Sequence, residues 1–437
     1  MIDKMDRRKF IQMTGAGVGL GMLGTAPSIV KASAPNRKIN VAVMGTNARG
    51  RAHVRGFVNL PDVEVTHICD IDDEAIAKGI ATAKEAGQSN EPKGVKDFRK
   101  VLEDDSVDAI SMALPIHWHT PASIMALQAG KHVYVEKPCS HNPREGELLT
   151  AAADKYGLVV QMGNQRRSYG NVIDAMHLIR DGAIGRPYYA RCWYATGRPS
   201  IGYGKNGPVP SNIDYELWQG PAPRMPFNDN YVHYNWHWFW HWGGGELTNN
   251  GIHFLDLGRI GLGVEYPSRV TSAGGRYHYR DEQETPDTQL VSYDFPDGKS
   301  MTWEALSSNR GGINGSATGV TIHGDDGHIF INGDQYTLYN GANEVVRDSD
   351  QDEPITEQNG GVDHFGDFVS AIRDGSTPRS HIADANKSVH LCHLGNIAHR
   401  TGRTINCDTH NGRIIGDREA VSKYWGREYE PGWEPFV

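Results

Sequence analysis

The sequence predicts an α/β protein in two parts, a doubly wound parallel sheet followed by an α+β unit with a large open, mostly antiparallel sheet. Three observations carry this. Residues 38–162 alternate short apolar runs with helical patterns, and repeated β-α units of that length make a parallel sheet with right-handed crossovers. After Gly163 strand-like segments follow one another without intervening helices. Asp297-Gly298, Asp326-Gly327 and Asn332-Gly333 supply hairpin turns there. The expected organisation is a leader over residues 1–35, a first domain over 36–163 and a second over 164–437, which suits a chain of 437 residues.

In the first domain Lys38–Met44 is a near-continuous apolar strand. Gly45-Thr46-Asn47-Ala48-Arg49-Gly50 follows at once, and Arg51–Asn59 reads as a helix. This strand–turn–helix context is what a dinucleotide fingerprint requires. Gly45 permits the tight turn and Gly50 close helix–strand packing, while Asn47 stands where the middle glycine is usual. Amides at the helix start, next to Arg49, can bind a phosphate. Asp70 closes the strand Val63–Cys69 twenty positions after Gly50. A carboxylate there accepts ribose hydroxyls and repels a 2′-phosphate, so NAD is expected over NADP, although Arg49 and Arg51 offer countercharge. The bland alternative is a plain turn and an unrelated aspartate. Further strands are expected at Val107–Leu114, Lys131–Val135 and Leu158–Met162, with helices at Pro121–Gln128, stopped by Gly130, and at Pro143–Tyr156.

In the second domain strands are expected at 187–194, 270–279, 288–295, 300–306, 317–323 and 327–332. Helices are expected at 171–180, 251–261, 363–374 and 383–401.

Three stretches carry possible chemistry. Glu136-Lys137-Pro138 ends the strand Lys131–Val135, placing a lysine at the carboxyl end of a strand, where such sheets hold their ligands. Burial lowers an amine's pKa and lets it act as acid or base. The second stretch, Tyr231 to Trp242, is dense in aromatic rings. If helical, it aligns His233, His237 and His241 as possible metal ligands; no glutamate accompanies them as in HExxH, and no metal is assigned. Its rings suit the apolar face of a sugar, and equally a packed core or subunit contact. Trp236 and His237 are assigned to a substrate wall, together with Arg166. The third stretch, Gly243 to Asp256, opens on glycines and continues as a helix with Asn249, His253 and Asp256 near one face. His253 can relay a proton or simply be a satisfied core histidine.

Composition is that of a soluble globular protein, 38% hydrophobic and 22% charged. A net charge of −9 without a Lys/Arg block argues against nucleic acid or an anionic membrane as partner. Five scattered cysteines without a CxxC suggest neither zinc nor a disulfide framework. Arg7-Arg8 before a modest apolar run to Ala26 has the twin-arginine export pattern, which implies a periplasmic protein with no membrane insertion after processing.

Taken in order, Gly45 to Gly50, Asp70, Glu136-Lys137-Pro138, the glycine-led His253 helix, Asp363-His364-Phe365 and Leu394-Gly395-Asn396-Ile397-Ala398 resemble the Gfo/Idh/MocA oxidoreductases from about Lys38 onward. The resemblance implies an NAD-binding domain, then an α/β domain whose sheet commonly forms the oligomer contact, here a dimer or tetramer. It implies that Lys137 contacts the reacting hydroxyl, His253 transfers a proton, Glu136 orients the lysine and Pro138 shapes the nicotinamide site. Asn249 departs from the pattern, because inositol dehydrogenase-like members have aspartate there. An amide orients substrate but takes no proton, leaving the acid/base work to Lys137 and His253.

The expected function is hydride transfer between NAD and a secondary hydroxyl of a sugar, glycoside or polyol. An exported enzyme meets little free NAD, so a tightly bound cofactor is expected. Two alternatives stay open. One is redox-neutral glycoside cleavage through a 3-keto sugar, as in family 109-like glycosidases, which generally lack Glu-Lys-Pro. The other is a non-catalytic sugar- or NAD-binding protein.

Overall fold

The computed structural model describes residues 37–351 and 363–437. The twin-arginine segment therefore lies outside the described residues.

The first sheet has six parallel strands in the order β3-β2-β1-β4-β5-β6. They are β1 (Ile39–Met44), β2 (Val63–Cys69), β3 (Lys93–Val95), β4 (Ala109–Met112), β5 (His132–Val135) and β6 (Val160–Met162). Val41, Val43, Ile110 and Val133 are fully buried, as expected for strands covered on both faces. Strand order reverses between β1 and β4, and open sheets of this kind bind ligands outside the carboxyl ends at such a point. One covering helix comes from far along the chain. Asp363 caps His364–Asp374, accepting from the amides of Phe365 and Gly366, and Phe365, Phe368 and Val369 join the core around Ile39 and Tyr134.

The helix expected from Pro121 instead begins at Ile116 and carries Pro121 inside it. An interior proline leaves the carbonyl four residues back without its helical donor. Arg427 supplies that donor, its Nη2 lying 2.5 Å from the carbonyl of His117, and its Nε binds the fully buried Glu145 at 2.8 Å. This compensation comes from 310 residues away and leaves no local signature.

The second sheet has ten strands in the order β14-β13-β12-β11-β7-β10-β9-β8-β15-β16. They run from β7 (Pro187–Tyr194) and β8 (Arg269–Gly275) through β9 (Thr288–Phe295), β10 (Lys299–Leu306), β11 (Thr318–Gly324) and β12 (Gly327–Asn332). The last are β13 (Gln335–Asn340), β14 (Val345–Asp348), β15 (Ile405–Cys407) and β16 (Ile414–Ile415). Only the central β7–β10 pair is parallel; the other neighbours are antiparallel. One face buries Cys192, Tyr293, Met301, Trp303, Val320 and Ile322 beneath helices Ile252–Leu262 and Ile382–Thr401. Alternate residues such as Tyr189, Thr302 and His323 face outward and are half-buried. Among the described residues, no helix is long and apolar enough to cross a membrane.

Candidate active site

A cleft of about 440 Å³ lies over the carboxyl ends of β2, β1, β4 and β5. Sequence decides this placement, because the residues that end these strands (Asp70, Gly45, Ala113 and Glu136) all line it. Gly45 has φ +80°, and a Cβ there would lie 2.4 Å from the carbonyl oxygen of Ala113. A Cβ on Gly50 would lie 2.0 Å from the carbonyl oxygen of Gly45. Both positions need glycine, which leaves an open cradle ahead of helix Gly50–Val58 where backbone amides suit a phosphate.

Asp70 is buried, its carboxylate accepting from the amides of Thr46 at 2.7 Å and Asp72 at 3.2 Å. Burial raises its pKa against those two hydrogen bonds. Asn47 also lines the cleft and receives the Lys78 ammonium at 3.5 Å. Arg49 lines the cleft as well, its Nε donating to Glu136 at 2.7 Å. The glycines, the acidic end of β2 and the open cradle fit a dinucleotide with an unphosphorylated ribose.

A second chain segment closes over this half. Asp214 N–H donates to the Ile71 carbonyl at 2.9 Å and Asp73 N–H to the Asn212 carbonyl at 3.2 Å. Asp72 accepts from Asn212 Nδ2 at 2.7 Å and faces His233 at 3.1 Å. These contacts begin immediately beyond Asp70.

The other half is organised by Glu136, a buried carboxylate that accepts from four groups. Arg49 donates at 2.7 Å, Gln165 Nε2 at 2.9 Å, His53 Nε2 at 3.1 Å and the amide of Lys137 at 3.1 Å. Burial would raise this carboxyl, yet the His53 hydrogen bond and the charges of Arg49 and Lys137 hold it well below the usual range. Burial keeps His53 neutral, so its Nε2–H serves the carboxylate and its Nδ1 accepts from the Ser111 hydroxyl at 2.8 Å.

Lys137 extends from this anchor. Its ammonium donates to the backbone carbonyl of Asn249 at 2.6 Å and to the Asn249 Oδ1 at 3.2 Å. Burial lowers its pKa, with Glu136 and Glu246 opposing. Asn249 lies in a π-helical turn, Leu247–Gly251, a rare geometry found often at functional sites. The α-helix Ile252–Leu262 follows directly and turns His253 into the cleft, its Nδ1 buried and without a partner. Burial, then the charges of Lys137 and Arg166, push His253 well below its usual pKa, so it is neutral. Pro138 is held by its carbonyl oxygen, 2.6 Å from His119 Nδ1, while His119 Nε2 lies 2.8 Å from the Leu114 carbonyl oxygen.

Residues 231–242 form neither the helix nor the strand considered from sequence; Asn235–Trp238 is one 3-10 turn. The three histidines therefore diverge. His233 turns to Asp72, His237 Nδ1–H to the Tyr234 carbonyl at 2.6 Å, and His241 to the Pro223 carbonyl at 2.9 Å. Trp236 and His237 do face the cleft and stack, with ring centroids 3.6 Å apart. Burial pushes His237 down to about 3.

Two expectations are corrected. Arg166 does not line the cleft; it donates to the Gly333 carbonyl at 3.1 Å and lies 4.6 Å over the Phe254 ring. Asp256 leaves the Asn249–His253 face, because buried Arg167 and the Ser388 hydroxyl of helix Ile382–Thr401 hold it. Sequence reasoning missed His53, Ser111, Gln165 and His119, and also Trp118 and Trp218, whose rings line the cleft. His53 alone had a signal, being one turn into the fingerprint helix.

Residues 39–164 match the NAD-binding Rossmann-fold domain of the Gfo/Idh/MocA oxidoreductase family, and residues 193–425 match its C-terminal alpha/beta domain. The chain belongs to the Gfo/Idh/MocA family. Among curated relatives, a glycosyl hydrolase family 109 protein of Parabacteroides distasonis is 22% identical over 380 residues, covering 79% of this chain and 80% of that one. A family 109 protein of Solibacter usitatus is 26% identical over 217 residues, but the match spans only 47% of this chain and 49% of that one. Two solved structures share the fold. Levoglucosan dehydrogenase with NADH and levoglucosan has a TM-score of 0.65 at 19% identity, over 85% of this chain and 99% of that one. The WlbA dehydrogenase of Bordetella pertussis with NADH and UDP-GlcNAcA has a TM-score of 0.64 at 18% identity, over 85% and 99%.

Proposed function

We propose that this protein is an NAD-dependent oxidoreductase acting on a secondary hydroxyl of a sugar, glycoside or polyol. The observation that carries it is the pairing of Lys137 with Asn249 beside an unpartnered His253, in a cleft that fits a dinucleotide. Bound NAD+ would supply a hydride acceptor for the carbinol carbon.

The chain's own residues do the proton chemistry. A neutral lysine amine has two N–H groups, and the two oxygens of Asn249 use both. What remains is the lone pair, free to take the proton of a substrate hydroxyl. His253, neutral and lining the cleft, hydrogen-bonds the same or the adjacent hydroxyl. Glu136 fixes the lysine backbone and keeps a negative charge nearby, while Trp236 and His237 offer a flat wall to the sugar ring.

The contacts that close over Ile71 and Asp72 support a cofactor held through turnover rather than exchanged. Such a cofactor suits export by the twin-arginine route to the periplasm, which we also propose, and a homo-oligomer built on the open sheet.

A second reading has its own support in the family 109 relatives. There a transient ketone acidifies the neighbouring C–H, the glycosidic leaving group is eliminated, and water addition and re-reduction follow with no net redox change. Purified protein is incubated with free sugars and aryl glycosides, and nicotinamide absorbance and leaving-group release are followed together. Reduction without release supports the dehydrogenase, and release without net reduction supports the glycosidase. Failure to see either would overturn both.

A further inference from the structure

Just behind the reacting end of the cleft, on the far side of Tyr234, lies a cation that no role above uses. Arg198 lies behind Tyr234, donating to its hydroxyl at 3.1 Å and to that of Tyr194 at 3.0 Å, with its guanidinium 5.0 Å over Trp238. Its side chain is 23% exposed, so it is within reach of a ligand seated against Tyr234 and His237. A guanidinium here would be a natural clamp for a sugar carboxylate, since the planar fork binds carboxylates through two parallel N–H bonds.

The Nε–Nη2 edge of that fork is already filled. Glu246, whose side chain is 1% exposed, accepts from Arg198 Nε at 2.6 Å and Nη2 at 3.3 Å, and also from Asn250 Nδ2. Three further cations near the cleft also have partners of their own. Arg49 serves Glu136, Lys96 serves Asp73 at 2.9 Å, and Arg166 lies outside the cleft on the Gly333 carbonyl. Burial of an internal carboxylate is costly unless it is paired, so Glu246 holds Arg198 firmly.

We propose that Glu246 is a specificity-determining residue that occupies the Arg198 fork, so that the ring oxidised at Lys137 is an uncharged sugar or polyol and not a uronate. This rests on the sugar reading above and narrows it to one charge class. A carboxylate approaching Arg198 would find the Nε–Nη2 edge taken and would meet Glu246 as a like charge in a partly desolvated site.

The test uses the purified full-length protein with its retained cofactor. Calorimetric titration compares probes that differ only at C6: methyl glucoside with methyl glucuronide, and methyl galactoside with methyl galacturonide. The neutral member of whichever pair binds should be preferred by about 100-fold or more, the discrimination that like-charge juxtaposition provides. In Glu246→Gln the fork is released, and the preference should shrink by at least about tenfold as the uronate gains. A double variant, Glu246→Gln with Arg198→Gln, should lose that gain while still folding, because no buried charge is left unpaired. Should the single variant fail to fold, the preference of the unaltered protein decides. A uronate that binds the unaltered protein as well as its neutral partner would overturn the inference alone. Binding by no member of either pair would overturn the sugar reading, and the inference with it.

Discussion

Lys137 Nζ lies 2.6 Å from the main-chain oxygen of Asn249 and 3.2 Å from its side-chain oxygen, joining residues 112 positions apart across the two domains. Both acceptors are uncharged. The amine is thus oriented without an ionic partner, and burial lowers its pKa while Glu136 and Glu246 limit the shift. Orientation and electronic tuning are divided here, the first supplied by Asn249 and the second by desolvation and the Glu136 network.

Lys137→Ala removes the only primary amine among the cleft-lining residues of the reacting end. Turnover should fall by about 10²- to 10⁴-fold, the usual contribution of a positioned acid or base. NAD content should be unchanged, because the dinucleotide cradle at Gly45 and Asp70 is formed independently of the lysine. Cofactor absorbance of the purified variant and its turnover number check this together; near-normal turnover would remove Lys137 from the chemistry.

Asp72 is the hinge of the closing contacts, taking the Asn212 amide and facing His233. Asp72→Ala should leave hydride chemistry intact once NAD is supplied, yet allow bound NAD to be lost on extended dialysis. Asp70→Ser is a separate probe of the same region. Losing the carboxylate that repels a 2′-phosphate should raise the NADP-to-NAD affinity ratio by about tenfold or more. Retention of NAD by the first variant and of discrimination by the second would contradict this account.

Much of this site is legible in sequence because its parts are local. Gly45 and Gly50 are glycines for reasons internal to one turn, and Asp70 and Lys137 end strands whose apolar runs are continuous. What is not legible depends on long-range geometry. Nothing near Arg166 indicates that it stacks on Phe254, and nothing near Asp256 indicates that Arg167 claims it. The 231–242 stretch has helical spacing of its histidines, but its rings pack with Trp218 and Tyr215, and this tertiary burial overrides the local pattern. The π-turn at Leu247–Gly251 has no residue signature, and the early start of the Ile116 helix depends on Arg427.

Acid stability follows from buried histidines. His393 is held neutral at about 3 and His364 at about 4, burial being the main cause in both. Their folded pKa values lie below the unfolded value of 6.5, so the unfolded chain binds more protons as pH falls through 6.5. Their stabilisation is complete above that pH and declines below it, down to their folded values. Each group contributes a loss of up to roughly 1.4 kcal/mol per pH unit, or on the order of 3 kcal/mol for the pair between pH 6.5 and 5. Urea unfolding at pH 7 and pH 5 measures this. Equal stability at the two values would show that these rings are hydrated or paired.

Asn249→Asp separates orientation from tuning most directly. The substitution keeps the backbone acceptor and the shape of the side chain but places a carboxylate about 3 Å from the lysine ammonium, where an opposite charge favours the charged form. The Lys137 pKa should rise back toward or above the ordinary lysine value of 10.5. With the neutral amine as the proposed base, activity in the oxidative direction rises as pH increases through that pKa. The limb of kcat/KM should therefore move to higher pH in the variant, with activity at pH 7 falling by about tenfold per unit of displacement. Asn249→Ala keeps only the main-chain bond and should lower kcat without moving the limb upward. If the aspartate variant shows the unaltered pH profile, the group titrating in that limb is not Lys137, and His253 becomes the base.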